Sequence, residues 1–458
     1  MHPGSDLDVL QAAASSALEY ARSIDARRVI PDEHDLAALS AFDEPLPEVG
    51  ADPLATLRLL DDVGSPATIA SSGARYFGFV TGAVYPVALG ASWLTSAWDQ
   101  NAGLAVMSPV ATKLHNVVRR WLVDLLGLPA DTSVVFVTGA TVANAACLAA
   151  ARDALLATVG WDVQSDGLFG APTLDVVIGE GAHSTLVKSL GLVGLGRRRI
   201  HVVPADDQGR LRADRLPDLD GPVLVCAQAG EVNTGAFDPF DEIADWLGAR
   251  TGWLHVDAAF GLWALADPSR ADLVRGLPRA DSWATDGHKW LNVTYDCGLA
   301  FVRRVDDLRR TFTATAGYLP LGDTFDAMHH TPQSSQRARQ VEVWSVLRTL
   351  GRQGVAALVA GNCRAAVTIA DRLRDAGLTI LNDVVLNQVL VRLVDGPTTE
   401  ALIAAVQADG RVWCGPTQWG GATAMRVSVS SWRTDLDVAA FTAEVILDCA
   451  RQVTETQA

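Results

Sequence analysis

The chain has 458 residues, 49% of them apolar and 20% charged, a composition that supports a large buried core and excludes disorder as the state of most of the chain. With 37 Lys+Arg against 53 Asp+Glu the formal net charge is −16, which argues against nucleic acid or an anionic membrane surface as partner. At this length two lobes are expected, or one large α/β domain with appendages.

Only three of the 37 basic residues are lysines, Lys113, Lys188 and Lys289, so any chemistry that needs a side-chain amine must use one of them. The six cysteines stand 35 to 79 residues apart, with no C-x-x-C pair and no His/Cys cluster, so neither a zinc site nor a disulfide framework is read; a reducing cytoplasm is expected. The N-terminus lacks a basic segment followed by an apolar one, so no secretory signal is read. The uncharged stretches 76–98 and 133–151 are broken by Gly, Thr, Ser or Asn, and the first by Pro86, which favours buried segments over membrane spans.

In chain order, residues 1–50 carry two short helical patterns and an acidic connection, read as an N-terminal arm. Residues 51–345 form the large domain. Within it, short apolar runs at 134–137, 176–178, 201–203, 223–226, 253–256 and 299–302 alternate with helical periods at 141–155, 184–192 and 240–249. Continuous apolar strands separated by helices predict a mostly parallel sheet covered on both faces. Residues 313–335 show little periodicity and are read as a mobile loop. Beyond them, helical patterns at 335–350 and 355–376, a strand at 384–393, a helix at 398–408, a strand at 425–430 and a helix at 436–453 indicate a small α+β domain over 346–458.

Four fragments carry candidate chemistry. Val137 to Asn144 reads as a strand, a small-residue turn and a helix start, which offers backbone N–H groups, a helix dipole and the hydroxyls of Thr138 and Thr141 to an anion. His183, at a second strand end, has the ordinary reading of a helix cap; alternatively its imidazole stacks on an aromatic cofactor and moves protons. Asp257 directly follows the apolar run 253–256, where a carboxylate needs a cationic partner such as a protonated pyridine. Lys289 follows a strand-like approach in Asp286-Gly287-His288-Lys289, at an edge where α/β sheets bind ligands. A buried lysine there is a candidate Schiff-base amine. Each fragment alone has a bland explanation.

Their order resembles the group II decarboxylases, pyridoxal-phosphate enzymes of the aspartate-aminotransferase-like fold. The resemblance covers roughly residues 50 to 440. It includes Tyr76-Phe77-Gly78-Phe79, Gly235-Ala236-Phe237-Asp238-Pro239 and, most specifically, the run His288-Lys289-Trp290-Leu291-Asn292-Val293-Thr294-Tyr295-Asp296-Cys297-Gly298. The resemblance implies that Lys289 carries the cofactor as a Schiff base, that Asp257 pairs with its pyridine nitrogen, and that Ala259 and His183 pack on its two faces. Ala140 and Thr141 hold the phosphate, with His288 nearby. Thr81, Phe79 and Arg337 are candidate substrate contacts; Arg337 and Arg339 equally suit structural salt bridges. A homodimer acting on an amino acid, as a small-molecule substrate of unassigned side chain, is implied, and no metal.

Several positions depart from the family pattern. Ala229-Gly230-Glu231-Val232-Asn233 lacks a threonine expected near the cofactor hydroxyl, and Asn233 is the candidate replacement. Phe325 stands close to where decarboxylases of the family carry a protonating tyrosine and cannot supply a proton; Tyr318, His329, His330 and His183 are the proton-donor candidates, with His183 favoured. Relatives with phenylalanine there tend toward aldehydes. From the resemblance as a whole decarboxylation is the leading expectation, and Phe325 leaves the outcome of the reaction open. Aldehyde synthesis, transamination and carbon–carbon cleavage are alternatives on the same cofactor, and an inert scaffold is a third class.

Overall fold

The computed structural model describes residues 3–248, 250–314 and 325–457. The larger sheet has seven strands: β1 Ser133–Val137, β2 Asp175–Gly179, β3 Ile200–Val203, β4 Val223–Gln228, β5 Gly252–Asp257, β6 Ser282–Asp286 and β7 Gly298–Val302. Their order is β1-β7-β6-β5-β4-β2-β3, and only β7 runs against its neighbours. The mostly parallel sheet read from the apolar runs is present, with each run lengthened by one or two residues.

Burial on both faces explains why these strands lack polar alternation. In β1, Val134 and Phe136 join the core formed with helices Pro109–Leu125 and Arg339–Asp375, whereas Val135 and Val137 join the core formed with helix Ala140–Thr158. Helix Ala140–Thr158 is long and apolar enough to cross a membrane, but 72% of its apolar window is buried inside the protein. On β5 the same period of two puts Trp253, His255 and Asp257 on one face.

The smaller sheet is antiparallel, ordered β10-β11-β9-β8, from β8 Thr379–Ile380, β9 Gln388–Arg392, β10 Gly415–Trp419 and β11 Ala422–Ser428. Helices Gly396–Asp409 and Leu436–Gln457 close its core around Val389, Val391, Met425 and Val427. β9 begins later than the apolar run 384–393 because Val384 adopts φ 45°, outside extended geometry. β8 and β10 were not legible: one has two residues, and the other opens on Gly415-Pro416 at a sheet edge.

The two helical patterns at 335–350 and 355–376 form one run, Arg339–Asp375, interrupted at Gly351 (φ 60°, ψ −176°). The first fifty residues hold helices Pro3–Ser23 and Glu33–Ala38. Of the segment read as a mobile loop, Tyr318 lies outside the described residues. Within the described part of that segment, Met328, His329, His330 and Thr331 are buried, whereas Pro332, Ser334 and Ser335 are exposed.

Candidate active site

Strands β1, β4, β5 and β6 point the same way, so their carboxyl ends bring the 139–141 turn, Gln228, Asp257 and the 286–289 turn to one edge. There they surround a cavity of about 360 Å³. The turn between β6 and β7 holds Lys289, and β7 returns directly beneath the phosphate-type turn. That return needs Gly298: a Cβ there would lie 2.4 Å from the Cα of Gly139. The 78–82 segment presses equally closely on the lysine turn, since a Cβ on Gly82 would lie 1.8 Å from the Lys289 carbonyl oxygen.

Lys289 Nζ lies 3.2 Å from Asp286 Oδ2, with the lysine side chain 21% exposed and the aspartate nearly covered. Asp286 Oδ1 accepts the Ala140 N–H at 2.6 Å. One carboxylate therefore links the amine to the start of helix Ala140–Thr158, leaving the Thr141 N–H and hydroxyl as the next donors of that turn. His288 accepts the Cys297 N–H on Nδ1 (3.1 Å) and stacks on Tyr295, so its Nε2 is the nitrogen near Asp286, at 3.6 Å. Burial pulls the His288 pKa down, against the pull of Asp286.

Asp257 is buried at the end of β5. Its Oδ2 accepts from Asn144 Nδ2 at 3.0 Å, while Oδ1 has no hydrogen-bond partner among the described residues. Burial pushes its carboxyl above the ordinary range; His183, Lys289 and the Asn144 bond oppose that rise. His183 caps helix Ser184–Leu192 by accepting the Thr185 N–H on Nδ1, and its own backbone N–H donates to Gln228 Oε1 at 3.1 Å. Burial lowers its pKa.

Of the residues expected at the site, Lys289, His288, Asp257, Ala259, His183, Ala140, Thr141 and Phe79 line this cavity together. Three others do not. Asn233 is drawn into the 231–234 turn by Glu231, and its Oδ1 accepts from Thr417 and Arg426. Arg337 pairs with Glu342 at 2.6 Å, the salt-bridge reading of that residue, and Arg339 pairs with Asp296. Thr81 is buried away from the cavity lining, its N–H donating to the Gly78 carbonyl. Phe325 is also off the cavity wall, stacked between His115 (4.1 Å) and His330 (4.4 Å).

Asp286, Gln228 and Arg426 line the cavity without having been singled out. Asp286 was within reach of sequence reasoning, three residues before the lysine on the same turn. Gln228 becomes visible only from strand register, which sets it opposite Asp257. Arg426 arrives from β11 of the smaller sheet, and no sequence signal connects it to the site. Burial lowers its pKa, and Glu231 acts against that.

What such a site accepts is narrow. A lysine amine at a sheet edge acts covalently on an aldehyde, and the unmet Oδ1 of Asp257 calls for a cationic N–H in a dry place. Pyridoxal phosphate carries both groups, and its phosphate suits the helix start at 140–141. The fold and site are those of a pyridoxal-phosphate enzyme. The chain belongs to the pyridoxal-dependent decarboxylase family, whose conserved domain matches residues 70–394.

L-2,4-diaminobutyrate decarboxylase of Rhizobium meliloti is 32% identical over 372 residues, 77% of this chain and 70% of that protein. An acidic amino acid decarboxylase of Bos taurus is 29% identical over 295 residues, and the match spans 61% of this chain and 56% of that one. In fold, the chain is similar to Oryza sativa TDC solved with PLP and tryptamine (TM-score 0.90, 22% identity, 99% of both chains).

Proposed function

We propose that the protein removes the α-carboxylate of an L-amino acid as CO₂ and releases the amine. The observation that carries this reading is the joint placement of Lys289 and the half-satisfied Asp257 around one cavity, in a chain of this family. Bound pyridoxal phosphate supplies the electron sink for the broken bond. Lys289 Nζ would hold it covalently, as the primary amine that faces the cavity beside Asp286. Asp257 Oδ1, buried without a partner among the described residues, would accept the ring N–H, and a carboxylate at that point would keep the proton there. Ala259 and His183 line the cavity and would pack on the ring, and Gln228 lines it beside Asp257 on β4.

Arg426 supplies a guanidinium to the cavity for the substrate carboxylate. When Nδ1 of His183 is protonated it gives up the Thr185 N–H but keeps a partner, since Nδ1 lies 2.7 Å from Thr185 Oγ1, which then accepts. Burial makes that protonated form a stronger acid than free imidazolium, which suits return of a proton to carbon. Phe325, in its histidine stack, offers no proton.

The proposal includes a homodimer and a cytoplasmic location. Exposed Trp93, Leu94, Trp98, Val106, Met107 and Val110 within one stretch of chain support the first, and six free, buried cysteines accord with the second. The test is a product screen over the common L-amino acids with the holoenzyme. CO₂ and amine in equal amounts, without ammonia or hydrogen peroxide, are expected; aldehyde with ammonia as main product would replace this reading with aldehyde synthesis.

A further inference from the structure

Behind Asp257, between β5, β6 and helix Ala140–Thr158, runs a buried row of polar side chains that contacts neither substrate nor bulk solvent. Asn144, His255 and Ser282 are each 0% exposed. Trp253 Nε1 lies 2.8 Å from Ser282 Oγ, Ser282 Oγ 2.9 Å from His255 Nδ1, His255 Nε2 2.9 Å from Asn144 Oδ1, and Asn144 Nδ2 3.0 Å from Asp257 Oδ2. A fully apolar filling of this layer would be cheaper, because each buried polar group must find a partner.

The direction of every hydrogen bond is fixed from the two ends. The Trp253 indole can only donate, so Ser282 Oγ accepts from it. At the other end Asn144 turns Nδ2 toward Asp257 Oδ2, which accepts, and Oδ1 toward His255. His255 must then donate from Nε2. Burial drives its pKa down to about 3, so the imidazole is neutral and its bare Nδ1 accepts the Ser282 hydroxyl proton. Four hydrogen bonds thus point the same way, each polarising the next toward the carboxylate.

We propose that Asn144, His255 and Ser282 are positioning residues that keep Asp257 ionised and hold its free Oδ1 toward the cofactor's ring nitrogen. The chain ends in the Asn144 amide nitrogen, which donates and cannot accept a proton, so it stabilises negative charge without offering the ring proton an escape. Because the row carries no net charge, it lowers the cost of burying Asp257 and leaves the cation of the cofactor as the sole counter-charge needed at Oδ1. The inference rests on the cofactor assignment and deepens it.

The experiment measures the affinity of apoprotein for pyridoxal phosphate and for its carbocyclic analogue, in which CH replaces the ring nitrogen. Wild type binds the true cofactor more tightly, because only it meets Asp257; binding neither compound would overturn the cofactor assignment itself. In His255→Leu the preference is expected to fall by about tenfold to a hundredfold, the equivalent of one hydrogen bond to a charged group. His255→Gln keeps an N–H for Asn144 and is expected to stay within about threefold of wild type. An unchanged preference in His255→Leu, or an equal loss in both variants, overturns the proposal. Should His255→Leu give no folded apoprotein, Asn144→Ala makes the same comparison, and an unchanged preference there is equally fatal.

Discussion

Replacing Asp257 by Asn changes one atom of the site and reverses its hydrogen-bonding sense. In the wild type, Oδ2 is committed to Asn144 at 3.0 Å and Oδ1 is left for the ring nitrogen. The asparagine variant must still offer an oxygen to Asn144, so its NH₂ faces the ring. An NH₂ cannot accept from a protonated pyridine, and it opposes the ring proton where the carboxylate favoured it. Loss of one partner from a buried charge pair costs about 3–5 kcal/mol. At about 1.4 kcal/mol per decade, kcat should fall by roughly two to nearly four orders of magnitude. Cofactor content should survive, because Lys289 and the helix start at Ala140–Thr141 are untouched. The assay is CO₂ release at saturating substrate alongside cofactor absorbance. A variant that retains the cofactor and turns over within about tenfold of wild type would refute the pairing of Asp257 with the ring nitrogen.

Lys289→Ala should abolish the visible absorbance of the holoenzyme, and borohydride reduction of wild type should label Lys289 alone; label on the exposed Lys113 or Lys188 would refute the assignment. Arg426→Gln should lower kcat/KM by about tenfold to a hundredfold, as expected for one lost hydrogen bond between charged groups, and a wild-type value would remove Arg426 from substrate binding. His115 is buried and burial depresses its pKa to about 3 from 6.5, so between those values the unfolded chain binds a proton that the folded one refuses. Stability should therefore rise with pH across that window, by up to about 1.4 kcal/mol per pH unit from this histidine. His115→Phe should flatten the urea-unfolding curve by that amount relative to wild type. Asp238, raised by burial to about 7, tilts both proteins the opposite way and His255, depressed to about 3, tilts both the same way, so the difference reports His115 together with its coupling to His330. Equal slopes in the two proteins would refute the account.

Much of the large sheet and the core of the site was legible in the sequence. Strands covered on both faces must be continuously apolar, so runs such as 134–137 and 223–226 announced both their existence and their two-sided burial. With three lysines in the chain, the choice of amine was nearly settled by counting. Asp257 stood out because a carboxylate at the end of an apolar strand demands a partner. These are local facts, fixed by composition and by neighbours within a few residues.

What tertiary structure decided were the contacts made across long separations in sequence. Gln228 and Asn233 lie five residues apart, and either could have faced the cofactor; the register of β4 on β5 gives the cavity to Gln228, while the turn built by Glu231 withdraws Asn233. Arg426 enters only because the smaller sheet packs against the larger one. Arg337 leaves because Glu342 captures it. The row from Trp253 to Asp257 joins residues more than a hundred positions apart, and it exists only because β5, β6 and helix Ala140–Thr158 share one buried face. A side chain's chemistry is written in its identity, but its partner is chosen by the packing that leaves each buried polar group one place to go.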